Sequence, residues 1–392
     1  MLYINEINAA GKIAADDTIL VKDVPATAGS KMLENFKPLF SAEAVDRLEK
    51  AGYAISGKTN VGEFGLDLLG ETSYFEPETE NGNLVGAAAA LVASGKVKAA
   101  LNVDLNGAPR RAAAVSGVDF IKPTYGTVSR YGVIACACSG EQIGVTAADA
   151  ESVKEILTVI AGHDDKDGTS LPAEKYEYST SEDVSVMKIC IAKELYDDAS
   201  AEVKANIDAY AESLKKNGAT VDTVSLDVAQ QAKTAWQILM AAETTNNLSR
   251  FDGVKYGYRT PEYKNIDELY VKSRSEAMGF LTKATIIYGS DVLAKAKYEK
   301  CYDKSLRIRR IVCDKVRDIL AKYDAILAPV CSQTSYKPYD VTEAFAKVYE
   351  ESLYTAIPSI TGMPAMVTKG VQLIADSYKE SVLLSIAKSV EV

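Results

Sequence analysis

Helix-like and strand-like patterns alternate from one end of this chain to the other, and that alternation narrows the fold more than any other feature. Ser41 to Gly52 reads as a helix, with Ser41 as cap, Val45, Leu48 and Ala51 on one face, and Gly52 closing it. Tyr53 to Ser56 reads as a short strand, Gly86 to Ser94 as an alanine-rich helix, and Val97 to Val103 as a buried strand. Asp149 to Ile160 carries Val153, Ile156, Leu157 and Ile160 on one helical stripe. Met187 to Ala192 and Thr220 to Leu226 read as strands around a helix from Ala201 to Lys216 that Gly218 ends. Ser290 to Tyr323 is helical almost without a break. Ala325 to Pro329 and Gly370 to Ala375 are strands, and Tyr378 to Val392 is a closing helix. Such a succession predicts an α/β fold: a large mixed β-sheet covered by helices on both faces.

The chain has 392 residues, 47% hydrophobic and 25% charged, enough for a substantial core. The only candidate internal break is the polar stretch 164–183, read here as a loop within a single domain spanning 1–392. No apolar run reaches the roughly 20 residues needed to span a bilayer, and the N-terminus lacks the basic-then-apolar pattern of a secretory signal. A cytoplasmic protein is expected. A net charge of −10 argues against direct, sequence-independent nucleic-acid binding. His163 is the one histidine, so a histidine-based triad or metal site has little to draw on. Cys136 and Cys138 form a Cys-x-Cys without a second zinc-spaced pair, and read as small residues of a buried strand. No cofactor and no metal is expected.

Two segments carry a resemblance. One is Ser56-Gly57-Lys58-Thr59-Asn60 followed by Val61-Gly62-Glu63-Phe64; the other is Ile121-Lys122-Pro123-Thr124-Tyr125-Gly126 followed by Val128-Ser129-Arg130-Tyr131-Gly132. Together they resemble the amidase signature family, with a signature core at about residues 53–165. The segment from Asn246 to Arg259, with Ser273-Arg274-Ser275-Glu276, is similar to the branch containing the glutamine-hydrolysing subunit of the tRNA-dependent Asp/Glu amidotransferases. The resemblance runs from Thr18 onward.

This resemblance implies an amidase fold and, in active members, a Ser–Ser–Lys site. A buried lysine takes a proton from the nucleophilic serine through a second serine, and backbone N–H groups hold the oxyanion. Carried onto this chain without gaps, the base falls on Lys58, the nucleophile on Ala108 and the relay serine on Leu84. Leu105, Asn106 and Gly107 take the oxyanion-loop positions. Arg309 takes the place of an arginine that grips a substrate carboxylate, and Ser352 that of its acidic partner for the α-amino group. Neither Ala108 nor Leu84 offers a hydroxyl. Pro109 is expected to push Ala108 toward an extended conformation. Cys138 and Ser116 are the remaining candidate nucleophiles, with no base beside them in sequence.

Three readings follow. The chain is a pseudo-amidase serving as a binding or scaffold subunit, beside a tRNA-binding amidotransferase subunit or an active paralogue. Alternatively it is an amidase or glutamine-dependent amidotransferase with a rebuilt nucleophile. Or it is a binder of a small carboxylate or amide that uses Arg309. Each concerns the site and not the fold.

Overall fold

A computed structural model of the chain describes residues 1–173 and 176–390. Its centre is an 11-stranded mixed sheet. In spatial order the strands are Tyr3–Glu6, Ile55–Thr59, Ile13–Asp16, Ala99–Asp104, Gln142–Ala147, Asp119–Lys122, Ala365–Thr368, Val371–Ile374, Ala325–Ala328, Lys188–Ala192 and Thr220–Val224. Residues from both halves of the sequence therefore share one sheet. Ile13–Asp16 runs parallel to both of its neighbours, as does Lys188–Ala192, while the other pairings described in this sheet are antiparallel.

Alternate residues of these strands feed opposite faces, as the two-residue repeat of a pleated strand requires. Ala14, Ala100, Phe120 and Val367 join one apolar cluster; Ile13, Ala15, Leu101, Ile121 and Met366 join the other. The first face is covered by helices Ala87–Ala93, Ala229–Leu248 and Ala344–Thr361, the second by Ala150–Ile160, Ala201–Lys216 and Glu380–Ser389. The expected stripe Val153, Ile156, Leu157 and Ile160 is fully buried, and the Asp149 carboxylate caps that helix at Ser152 N–H. Among the described residues no helix is long and apolar enough to cross a membrane.

Four expectations change. The run from Ser290 to Tyr323 is broken: one helix is Phe280–Leu293, the chain leaves helical geometry at Ala294, and Glu299–Asp303 forms a π-turn that leads into Lys304–Leu320. Helix-favouring residues throughout hid the break. Ser41 does not cap the helix Glu43–Lys50; its hydroxyl instead accepts from Lys22 N–H. Cys136 and Cys138 lie in a loop and not in a strand, the first buried, the second half-buried, both free thiols. The closing helix starts at Glu380, after Tyr378 turns the chain with φ +67°, and residues 391–392 lie outside the described part.

Candidate functional site

The parallel strands Ile55–Thr59, Ile13–Asp16 and Ala99–Asp104 end side by side, so the segments that follow them converge on one edge of the sheet. Carboxyl ends of parallel strands are where α/β sheets place their ligands. After Ala99–Asp104 the chain turns through Gly107, whose φ of +88° favours glycine, into the helix Ala108–Ser116. A side chain at Gly107 would also sit 2.4 Å from Thr355 Cγ2. Pro109 lies in the first helical turn, where its missing N–H costs nothing, and Ala108 is helical and not extended as expected. Gly86 lets the helix Ala87–Ala93 approach: a Cβ there would lie 2.4 Å from the Ala112 methyl.

Between these segments is a cavity of about 50 Å³. Asp16, Asn60, Asp67, Asn102 and Thr146 supply its polar wall; Gly62, Gly86, Ala87, Ala88, Ala108 and Ala112 supply much of the rest. An inner cavity of about 20 Å³ shares Asp16, Val61, Gly65 and Val103 with it and adds Thr18, Phe64, Leu105, Ile134 and Glu141. Among the described residues, neither lining contains a serine, cysteine, histidine, lysine or arginine. The titratable groups that share the outer lining with Ala108 are the carboxyls of Asp16 and Asp67, beside the Asn60 and Asn102 amides and the Thr146 hydroxyl.

Three carboxyls here are held toward neutrality. Burial pushes Asp16 up to about 7, against the opposing pull of Val103 N–H, Thr59 Oγ1, Asn102 Nδ2 and the Lys58 charge. Burial, then the Glu71 charge, pushes Asp67 up to about 8, although Thr72 and Gly70 donate to it. Burial raises Glu141 to about 7 while the N–H groups of Cys136 and Ala137 and the Arg130 charge oppose it. The sequence reading missed all three. The acid pair Asp16-Asp17 directly after the apolar run Ile13-Ala14-Ala15 was the available signal, because a carboxylate ending a buried strand needs a reason to be there.

The sequence-derived positions fare unevenly. Ala108 lines the outer cavity and Leu105 the inner one. Lys58 is fully buried but lines neither. It registers with Ala15 while Thr59 registers with Asp16, so the pleat turns it to the other face of the sheet. There its Nζ donates to Asp17 O at 3.1 Å and pairs with Asp17 Oδ1 at 3.4 Å. Burial lowers the Lys58 pKa, and Asp17 opposes that shift. Leu84 belongs to a two-stranded hairpin of Thr79–Glu80 with Asn83–Leu84, is buried in the apolar core, and lines neither cavity.

Of the oxyanion-loop positions, Gly107 already spends its N–H within the turn, and the Asn106 oxygens are engaged by the core. Gly107 N–H donates to Asp104 Oδ1 at 3.0 Å. Asn106 Oδ1 accepts from Trp236 Nε1 at 3.0 Å and Gln237 Nε2 at 3.2 Å, and its carbonyl accepts from Arg111 and Thr355. Ser352 is buried, donates to Val348 O at 2.6 Å, and accepts from Gln237. It ties a helix to the loop and lines neither cavity. Arg309 stands half-buried on Lys304–Leu320, near Tyr302 and Cys313, without a hydrogen bond among the described residues and outside both linings. The pairing of Arg309 and Ser352 as a substrate grip is thus not brought to the Ala108 cavity.

The candidate replacement nucleophiles are also elsewhere. Ser116 ends the helix that Ala108 begins, eight residues or about 12 Å away along the axis. The Cys138 thiol is half-buried, raised in pKa chiefly by burial, and accepts from Asn247 Nδ2. His163 bridges Leu171 O and Asp165 at a loop, a structural role.

Comparison with known proteins supplies a family context. The family model described as Amidase matches residues 13–384. The glutamyl-tRNA(Gln) amidotransferase A subunit of Agathobacter rectalis is 39% identical over 97% of this chain and 79% of its own length. The protein of the same name from Sulfurihydrogenibium sp. is 36% identical over 96% of this chain and 81% of its own length. The crystal structure of the corresponding glutamyl-tRNA(Gln) amidotransferase protein from Thermotoga maritima superposes with a TM-score of 0.82 at 28% identity, covering 97% of this chain and 82% of that one.

Proposed function

Because this chain belongs to the amidase family, we propose that it is a non-hydrolytic member, a cytoplasmic binding or scaffold subunit that holds ligand or partner where its relatives cleave amides. One observation carries this reading: the Ala108 methyl opens the helix Ala108–Ser116 onto a cavity whose described lining holds the carboxyls of Asp16 and Asp67 and the Thr146 hydroxyl but no serine, cysteine, histidine or lysine. Amide cleavage needs an attacking atom and a group to take its proton. In a serine hydrolase, loss of the nucleophile alone costs about 10⁶ in kcat. The relatives are named as subunits, so the partner proposed is a tRNA-binding amidotransferase subunit or an active paralogue. The carboxylate-binder reading loses support, since Asp16 and Asp67 line the outer cavity, Asp16 and Glu141 the inner one, and Arg309 neither; a group rich in hydrogen-bond donors suits the walls better.

Purified chain assayed with glutamine, asparagine and simple amides, alone and with an added tRNA-binding subunit, is expected to release ammonia only at the background rate. Turnover abolished by Cys138→Ala or Ser116→Ala would overturn the reading and establish a rebuilt enzyme. Co-elution with the partner subunit on a sizing column tests the scaffold role separately.

A further inference from the structure

The inner cavity holds two buried polar atoms whose partners are missing. Glu141 Oε1 accepts from Cys136 N–H and Ala137 N–H, but Oε2 is buried without a hydrogen-bond partner among the described residues. Thr18 Oγ1 is buried in the same condition. Both residues line the inner cavity, and Glu141 is 2% exposed and Thr18 5%. A buried acceptor left unpaired costs about 1–3 kcal/mol, so an occupant with hydrogens to give is favoured. Asp16, also on this wall, adds a second carboxyl with no cation in the lining.

We propose that the Asp16, Thr18 and Glu141 cavity is a binding site for a small primary ammonium group, whose N–H donors meet the two carboxylates and the threonine hydroxyl. This rests on the reading of the site as one that binds and does not cleave. Size selects the class. About 20 Å³ accommodates the centre of one water-sized group, which fits an NH3⁺ head and excludes a quaternary ammonium. The outer cavity continues from it through Asp16, Val61, Gly65 and Val103, and its walls of Gly86, Ala87, Ala88 and Ala108 leave room for a short aliphatic tail. No group of three or more metal-ligating side chains suited to a metal ion occurs among the described residues. N–H donation to charged acceptors, not coordination, is therefore the recognition chemistry.

Binding strengthens as the carboxyls ionise. Asp16 is faced by the neutral Thr59 and Asn102 and feels the Lys58 charge from across the neighbouring strand; Glu141 is faced by Arg130, Glu243, Cys136 and Cys138. Lys58 and Arg130 favour the ionised acids, while Glu243 and any Cys136 or Cys138 thiolate oppose it. With both carboxyls raised to about 7, affinity is expected to rise from pH 6 to pH 8.

The test is calorimetry and thermal-shift titration of the full chain with ammonium and methylammonium chloride, against potassium and tetramethylammonium chloride at equal ionic strength. The two N–H-bearing cations are expected to bind, with affinity falling about tenfold or more in Glu141→Gln and in Asp16→Asn, as charge-assisted hydrogen bonds are lost. Thr18→Val keeps the shape, removes the acceptor and is expected to weaken binding if either acid variant fails to fold. No binding by the parent chain, equal binding of potassium, or binding unchanged across the folded variants would each overturn the proposal. The ammonia-release assay is independent, so hydrolysis could appear while amine binding stands, or the reverse.

Discussion

Arg110→Met is expected to be among the most damaging single substitutions available in this chain, costing roughly 3–5 kcal/mol or preventing folding outright. Arg110 is fully buried, yet every guanidinium nitrogen is engaged. Nε reaches Asp104 Oδ2 at 2.6 Å and Nη2 reaches Asp104 Oδ1 at 3.1 Å. Nη1 donates to Thr355 O and Gln372 Oε1, and Nη2 to Ser359 Oγ. One side chain thus ties the turn after Ala99–Asp104, the helix Ala344–Thr361 and the strand Val371–Ile374. The loss would exceed that of the hydrogen bonds because Asp104 would remain as a buried carboxylate without its counter-charge. Asp104 also receives Gly107 N–H, so the turn that presents Ala108 would loosen with it. Urea unfolding of Arg110→Met, Asp104→Asn and the double variant measures this. The double variant should be less damaged than the sum of the singles, since no charge is then stranded. A single-variant loss under about 1 kcal/mol would show that the network contributes no more than an ordinary neutral hydrogen bond.

What the sequence made legible was local. Ala201–Lys216 is visible because Ser200 caps it, Val203, Ile207 and Leu214 repeat at helical spacing, and Gly218 follows it. The resemblance placed Gly107 in the loop before Ala108, though not that Thr355 would fill the space beside it. The nonlocal features were not legible. Ile13–Asp16 is four residues long and takes its place from parallel partners some forty and eighty-six residues away, a distance that no sequence window spans. The resemblance to amidases picked out Ala108, which lines the outer cavity, and Lys58, which is buried outside both linings. Lys58 and Thr59 are adjacent in sequence and register with Ala15 and Asp16, so the pleat points them to opposite sides of the sheet, which a residue-by-residue correspondence does not reveal. Asp67 and Glu141 are ordinary acids in sequence; burial, with the Glu71 charge beside Asp67, makes them unusual.

That burial has a consequence for the whole molecule: the protein is expected to lose stability as pH rises from about 4.5 to 7. Asp16, Asp67 and Glu141 have folded-state values raised to about 7, 8 and 7 from ordinary carboxyl values of 3.8, 3.8 and 4.5. Between those limits the native state keeps protons that the unfolded chain has released. Stability then falls with rising pH, because unfolding is favoured wherever the unfolded state binds fewer protons. The contribution is fully present below the unfolded values and is lost as pH passes the folded ones. A tenfold change in a group's acidity between the folded and unfolded chain corresponds to about 1.4 kcal/mol, so the three acids together produce a decline of several kcal/mol. Opposing groups act mostly outside this window. Glu151, lowered to about 2 chiefly by its hydrogen bond from Lys154, gives stability that disappears only below its unfolded value. Lys122, lowered to about 7 by burial, releases its proton earlier in the folded than in the unfolded state, and so makes stability rise with pH only above about 7. Urea midpoints measured at pH 5 and pH 7 in one ionic strength should therefore differ, with the acid side higher. Asp16→Asn and Glu141→Gln should each flatten the slope, since an amide has no proton to lose at these pH values. A midpoint that climbs toward pH 7 in the parent chain would mean that these carboxyls are ionised in the fold, with water or a bound cation supplying the partners that the described side chains do not.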